Sequence, residues 1–352
     1  MAALVIDVVC KWVIFQLRIL GYNKLKSGFS MPLPNIDDIR AAASRIASHA
    51  VRTPLLESPQ INDILGGRLL VKAETLQRTG SFKFRGAFNT ISQIPDKIRK
   101  NGIVAFSSGN HAQGVAAAAL LHGVPAVIVM PKDAPGLKVA NTIDYGAEVV
   151  LYNRYTEDRE AIGAGIAKQR GLSLVKPYDD PRVIAGQGTV GLEIIEQIDT
   201  PPDQVLAPCG GGGLISGTAI AIKDAAPDSC IYAVEPEEFD DTARSLKLQS
   251  RQKVGPEANS ICDSLMPATP GEITFAINQR LLSGGLVVSD NEVRKAMREG
   301  FLRLKLVIEP GGAVGLAAVL SGVVDCRNKI TVVVCSGGNV DPSLFSEVLG
   351  ES

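Results

Sequence analysis

Histidine is scarce in this chain, with His49, His111 and His122 the only three among 352 residues. So few exclude a multi-histidine metal centre as an expectation. The six cysteines (Cys10, Cys209, Cys230, Cys262, Cys326 and Cys335) lie scattered, and no CxxC pair occurs. Neither a disulfide framework nor a zinc site fits that spacing, which suits a reduced, cytoplasmic interior. Long runs of lysine or arginine are missing and the formal net charge is −1. A nucleic-acid partner, which needs a basic stripe, is therefore not expected. An uninterrupted membrane span is missing too. The apolar start MAALVIDVVCKWVIFQLRILGY is broken by Asp7, Lys11 and Arg18, and each charge costs about 2.5–3.5 kcal/mol near a bilayer centre. It also lacks the positive beginning and small-residue end of a secretory signal. Residues 1–30 read as an extension ahead of an ordinary beginning at Met31, with no membrane partner.

What the chain does have is apolar residues, at 45%, and 35 glycines, a mix typical of α/β enzymes. Its length favours two lobes over one core. NIDDIRAAASRIASHAVRTPL has the spacing of an amphipathic helix closed by Pro54, and the short strand RLLVKAE follows. From Gly102 the apolar runs IVAFS, AVIVMP and EVVLYN alternate with helical stretches, and LSLVK completes the unit. Continuous apolar runs of this length mark strands buried on both faces of a parallel sheet. A second alternating series holds QVLAP, IYAVEP and ITVVVCSGG, with a helix expected through NEVRKAMREGFLRLKL. The expected fold is α/β with two parallel-sheet lobes and a ligand in the cleft between them. The large lobe would comprise 31–101 plus 179–352, and the small one 102–178.

Five segments carry chemistry. PCGGGGLISG follows an apolar strand and opens a helix, so the N–H groups of Gly210, Gly211, Gly212, Gly213 and Leu214 can turn around an anion with the helix dipole behind them. A tight turn alone does not need four glycines. Without GK[ST] or GxGxxG spacing the anion is expected to be a small monophosphate. SSGNHAQG repeats the strand–turn–helix grammar and points Ser108, Asn110 and His111 at the cleft, where an ordinary helix cap would account for only one polar residue. SFKFRG sets Lys83 between two phenylalanines with Arg85 close by. An amine in a drying pocket beside a second cation shifts toward its neutral, nucleophilic form, although lysines beside aromatics more often just rest their stems there. CSGGNVD ends the last strong strand on Ser336, and EPGGAVG is another glycine-rich helix start.

In their order along the chain, SFKFRG, SSGNHAQG, GGGGL, EPGGA and SGGNVD, and in their spacing, the five segments closely resemble the fold type II pyridoxal-phosphate family over about residues 35–345. Within it the chain is similar to the branch of serine/threonine dehydratases, serine racemases and 3-hydroxyaspartate dehydratases. The resemblance implies that Lys83 holds pyridoxal 5′-phosphate covalently and shuttles the α-proton, while Phe82 packs on the cofactor ring and Asn110 bonds its phenolic oxygen. Gly210, Gly211, Gly212, Gly213 and Leu214 would cradle the phosphate, and Ser336 would face the ring nitrogen. Ser107, Asn110 and His111 would hold the substrate carboxylate, with Arg159 reaching the substrate side. A neutral hydroxyl at the ring nitrogen makes a shallower electron sink than a carboxylate does, which favours prompt β-elimination over transamination.

The implied activity is that of a dehydratase and ammonia-lyase. It would convert L-threonine, L-serine or 3-hydroxyaspartate to a 2-oxo acid and ammonia. Serine racemase is the alternative, since Ser108 occupies the second-base position of racemases; a β-replacement synthase is another. YNRYTEDRE looks particularly like 3-hydroxyaspartate dehydratases, and Arg154 adds a cation of the kind a second carboxylate wants. SICDSLMPATPGE departs from the relatives' usual ADG segment: Asp263 is kept, and Ser264 replaces glycine. VEPEEFDD resembles the family's divalent-cation loop, with Glu235, Asp241 and the Phe239 carbonyl as ligands for Mg²⁺ or Ca²⁺. Spacing alone reads it as a solvated acidic loop. A homo-oligomer, dimer or tetramer, is expected.

Overall fold

Ten strands carry the architecture of the computed structural model, which describes residues 32–351. The reading of residues 1–30 as an extension lies outside those residues. The strands are β1 (Leu55–Glu57), β2 (Arg68–Ala73), β3 (Ile103–Phe106), β4 (Ala126–Pro131), β5 (Glu148–Tyr152), β6 (Ser173–Leu174), β7 (Gln204–Pro208), β8 (Cys230–Pro236), β9 (Gly284–Val288) and β10 (Ile330–Cys335). They form a six-stranded sheet ordered β1-β2-β10-β7-β8-β9 and a four-stranded sheet ordered β5-β4-β3-β6. Every pairing is parallel except that of β1 with β2.

The apolar runs become strands because each side of each sheet has a cover. In β10, Val332 and Val334 face a core with Ile215, Ile222 and Val190, while Val333 and Cys335 face the opposite core under the helices Asp290–Glu299 and Pro310–Leu320. Burying one such valine contributes roughly 1.5–3 kcal/mol, so a register slip of one residue would be costly on both faces. The four-stranded sheet packs one side on the alanine-rich helix Asn110–Leu121, and sets Phe106, Val129 and Tyr152 on the other. That is the α/β arrangement of parallel layers that the alternating pattern implies.

Some local readings change. The helix expected through NEVRKAMREGFLRLKL runs only from Asp290 to Glu299, then widens into a π-turn over Gly300–Leu304 and stops at Lys305 with φ +59°. A Cβ on Gly300 would lie 2.6 Å from Ile308, so the return of the chain leaves no room for a regular continuation. The first helix spans Ile36–Ile46 and ends well before Pro54. Asn35 and Asp38 form its capping box, and Ile39, Ala42 and Ile46 make its buried face. Among the described residues no helix is long and apolar enough to cross a membrane.

Candidate active site

The strand ends meet in one cleft. The segments after β3, β4, β5, β7 and β10 all line it, as expected for a ligand site at the carboxyl ends of parallel strands. The two motifs farthest apart in sequence are tied together at its floor. Phe82 N donates to Ser336 O at 3.1 Å, Gly338 N to Gly80 O at 2.9 Å, and Ser81 pairs with Gly337 as an isolated bridge. Asn339 Nδ2 donates to Thr79 O and to Asn110 Oδ1, each at 2.8 Å.

Lys83 opens the helix Lys83–Ser92, with its amine in the cleft donating to Pro177 O at 2.7 Å and lying 5.2 Å from the Phe82 ring centroid. Burial strips water from the ammonium and lowers its pKa to about 8, with Glu309 opposing the shift. Arg85 plays no part in this, contrary to the sequence reading. It is fully buried on the other side of the helix, where its guanidinium spans Glu74 and Glu193. Two residues of helix turn the side chain through about 200°, so neighbours in sequence need not share a cleft.

The glycine run delivers the cradle. Gly210 follows β7, and Gly213 begins the helix Gly213–Ala225. Among the described residues no carbonyl accepts from the N–H groups of Gly210, Gly211 or Gly212. Gly212 has φ +92°, and a Cβ on Gly211 would meet the Tyr178 ring at 2.3 Å. Thr274 Oγ1 donates to Gly211 O at 2.7 Å and fixes the loop from behind. Unspent N–H groups at a helix N-terminus, under an aromatic lid, fit a phosphate monoester. Leu214 and Ser336 complete the lining.

The SSGNHAQG turn is less free than its sequence suggests. Ser107 Oγ accepts from Gly109 N at 3.1 Å and keeps its own O–H to donate. Ser108 is half-buried and caps nothing, because Gly109 holds the N-cap position without a side-chain bond. The Asn110 amide donates to Glu309, and its oxygen takes the bond from Asn339, so only one N–H remains for a ligand. His111 donates from Nε2 to Val175 O at 3.1 Å. Burial, with the nearby Lys83, pushes its pKa down to about 3. A neutral ring with one N–H already given has none for a carboxylate, so His111 shapes the pocket rather than donating to substrate.

Sequence reasoning missed several lining groups. Lys138 is buried between Asp263, at 2.7 Å, and Glu309, at 3.1 Å. Burial opposes its charge, but the two carboxylates outweigh that and hold its pKa above the ordinary lysine value. Burial likewise raises Glu309. Tyr178 and Pro177 carried no signal either, since their role comes from where the chain crosses the cleft. Arg159 begins the helix Arg159–Arg170 and stacks 5.5 Å from the Phe106 centroid. Arg154 also lines the cleft.

The acidic segment VEPEEFDD is not a solvated loop. Glu235, Phe239 and Asp241 are buried, and Glu235 accepts from Thr242 N at 3.0 Å and Ala243 N at 2.8 Å. Burial raises the pKa of both carboxyls, to about 7 for Asp241, and Asp241 Oδ2 has no partner. No group of three or more His, Cys, Asp or Glu side chains gathers at metal distance among the described residues.

Residues 46–337 match the family described as "Pyridoxal-phosphate dependent enzyme". The chain belongs to the pyridoxal-phosphate dependent enzyme family. It is 43% identical over 319 residues to the L-threo-3-hydroxyaspartate ammonia-lyase of Saccharomyces cerevisiae, covering 91% of this chain and 97% of that one. The serine racemase of Schizosaccharomyces pombe is 39% identical over 322 residues, 92% of this chain and 99% of the relative. Maize serine racemase superposes with a TM-score of 0.85 at 38% identity, covering 90% and 97% of the two chains. This pyridoxal-phosphate dependent enzyme has the fold type II architecture of those neighbours. Its Lys83 amine and its glycine cradle line one cleft.

Proposed function

We propose that the protein is an ammonia-lyase that converts a β-hydroxy amino acid, 3-hydroxyaspartate foremost, to a 2-oxo acid and ammonia. The observation that carries this reading is the Lys83 amine, with its pKa lowered by burial, in one cleft with a free N–H cradle and a neutral hydroxyl at Ser336. The 43% and 44% identities to L-threo-3-hydroxyaspartate ammonia-lyases of Saccharomyces cerevisiae and Pseudomonas sp. support the substrate class.

Pyridoxal phosphate, when bound, supplies the electron sink for the pair left on the α-carbon. Gly210 to Gly213 and Leu214 would hold its phosphate, Lys83 would bind it covalently, and Phe82 and Ser336 would flank its ring. Lys83 Nζ takes the α-proton and returns it, and burial, which lowers its pKa to about 8, brings the amine closer to the range such exchange needs. Ser107 and the remaining N–H of Asn110 hold the α-carboxylate. Loss of the β-hydroxyl as water and hydrolysis of the released enamine then give the oxo acid and ammonia. Purified protein should release 2-oxo acid from L-threo-3-hydroxyaspartate, and Lys83→Ala should end both turnover and borohydride-fixed cofactor. Persistent labelling in that variant would sink the assignment.

Glu235, Asp241 and the Phe239 carbonyl are proposed to hold Mg²⁺ or Ca²⁺. Two buried carboxyls with raised pKa support a cation there, since the unpartnered Asp241 Oδ2 is left without a hydrogen-bond donor. A homo-oligomer, dimer or tetramer, in the cytoplasm completes the reading. The five described cysteines are all free, as a reducing compartment requires.

A further inference from the structure

The cationic side chains lining the cleft are not all used. Lys83 is reserved for the cofactor, and Lys138 is bound to Asp263 and Glu309. Arg159 rests on Phe106 and has no ion pair or hydrogen bond to a carboxylate among the described residues. Arg154 has one acidic partner, Asp133, whose Oδ1 accepts from its Nε at 2.8 Å. That bond leaves both terminal nitrogens of the Arg154 guanidinium without a protein acceptor. An α-amino acid with a single carboxylate, held at the Ser107 turn, would leave Arg159 without a carboxylate partner and the terminal nitrogens of Arg154 unused.

The frame holding the two arginines is rigid. Lys132 N donates to Tyr152 O at 2.9 Å, which staples the segment after β4 to the end of β5. Between Tyr152 and Arg159 the chain folds around Asn153: Thr156 N and Glu157 N donate to Asn153 O, and Tyr155 N to Asn153 Oδ1. Glu157 accepts in return from Asn153 N at 2.6 Å. Asp158 caps the helix that Arg159 begins. Both guanidinium groups are therefore presented with little ordering left to do at binding.

We infer that Arg154, oriented by Asp133 and working beside Arg159, is the residue that selects substrates with a second carboxylate at the β-carbon. Arg154 offers its outer N–H edge to that carboxylate in the bidentate manner that guanidinium geometry favours. Asp133 is a positioning residue, which fixes the guanidinium plane through Nε. The inference rests on the ammonia-lyase reading above and adds the residue that decides between hydroxyaspartate and serine.

The test compares 2-oxo acid release from L-threo-3-hydroxyaspartate and from L-serine by holoenzyme carrying Arg154→Gln, Arg154→Lys or Asp133→Asn. Arg154 and Asp133 are both exposed, so melting curves should match wild type and separate folding from selectivity. Loss of hydrogen bonds to a charged group is worth about 10- to 100-fold. Arg154→Gln should lower the hydroxyaspartate-to-serine ratio of kcat/KM by that factor, mostly through KM for hydroxyaspartate. Arg154→Lys should recover part of it, and Asp133→Asn should give a smaller loss of the same kind. A ratio within two-fold of wild type in Arg154→Gln overturns the inference. Protection against thermal unfolding by succinate, compared with acetate, reads the same subsite without turnover. Succinate protection that vanishes in Arg154→Gln upholds the subsite even if neither amino acid is turned over, an outcome that would instead refute the ammonia-lyase reading. Succinate protection equal in wild type and variant counts against the subsite whatever the turnover.

Discussion

Replacing Arg85 with methionine should cost the protein several kcal/mol of stability, on the order of 3–5. Its guanidinium makes four short bonds inside the protein: to Glu74 twice at 2.8 Å, and to Glu193 at 2.6 and 2.9 Å. Glu193 would keep Lys72, whose amine lies 2.6 Å away. Glu74 would keep only the Thr53 hydroxyl at 2.6 Å and the more distant charge of Lys72, yet it is fully buried. Removing one partner of a buried ion pair typically costs about 3–5 kcal/mol, because the other charge stays behind uncompensated. From the unfolding entropy per residue, a unit of this size loses roughly 1.5 °C of Tm per kcal/mol, so a drop of about 5–8 °C is expected. The contribution of Glu74 to the pH dependence should also reverse. In the wild type, burial would raise Glu74, but Arg85 outweighs it and holds the carboxyl below its ordinary value of 4.5. That contribution is present above the ordinary value and is lost as pH falls through the folded one. In Arg85→Met, burial acts with little opposition and the carboxyl titrates above its ordinary value. The variant should therefore gain more stability than the wild type as pH falls from 7 toward 5. Circular dichroism melts at pH 5.5 and 7.5 would show this, and the double variant Arg85→Met/Glu74→Met should recover much of the loss. A single variant that melts within 2 °C of wild type, or a double variant no better than the single, would refute the reasoning.

Gly211→Ala should force Tyr178 off the glycine loop and weaken cofactor binding by at least ~10-fold, at a stability cost of about 1–3 kcal/mol; a titration with pyridoxal phosphate that matches wild type would contradict the packing. His111, held neutral with a pKa of about 3 against an ordinary 6.5, contributes stability that is present above 6.5 and lost as pH falls toward 3. His111→Asn should accordingly flatten the stability–pH curve on that acid side, as urea melts across the range would record. Chelation should lower the Tm, with Mg²⁺ or Ca²⁺ restoring it, and Glu235→Gln should abolish the response; a wild type indifferent to chelator removes the metal reading. Ser108→Ala should end any interconversion of L- and D-serine, lowering it ~10²–10⁴-fold by chiral chromatography, while elimination from the enantiomer facing Lys83 continues.

The sequence by itself determined the parallel strands and the motifs at their ends. Strands such as AVIVMP and ITVVVC are buried on both faces, so they had to be continuously apolar and could be read without partners. Gly210 to Gly213 were legible for a related reason: only residues without a side chain tolerate both a φ of +92° and a ring against Gly211, and four in a row is a visible anomaly. The short edges β1 and β9 were not legible. The first is three residues long, and the second begins Gly284–Gly285 with half-buried neighbours, so neither has an apolar run to announce it. Only the tertiary structure decided which charges share an environment. Arg85 sits two residues from Lys83 yet belongs to a different cluster, whereas Lys138 meets Asp263 across 125 residues and Asn110 meets Glu309 across 199. It also turned VEPEEFDD from an acidic surface stretch into a buried pair, because Glu235 is drawn in by the N–H groups of the helix that Asp241 begins. Composition and spacing record which groups a chain carries. Their pKa values depend on water exclusion and on partners far away in sequence, and both exist only once the chain has folded.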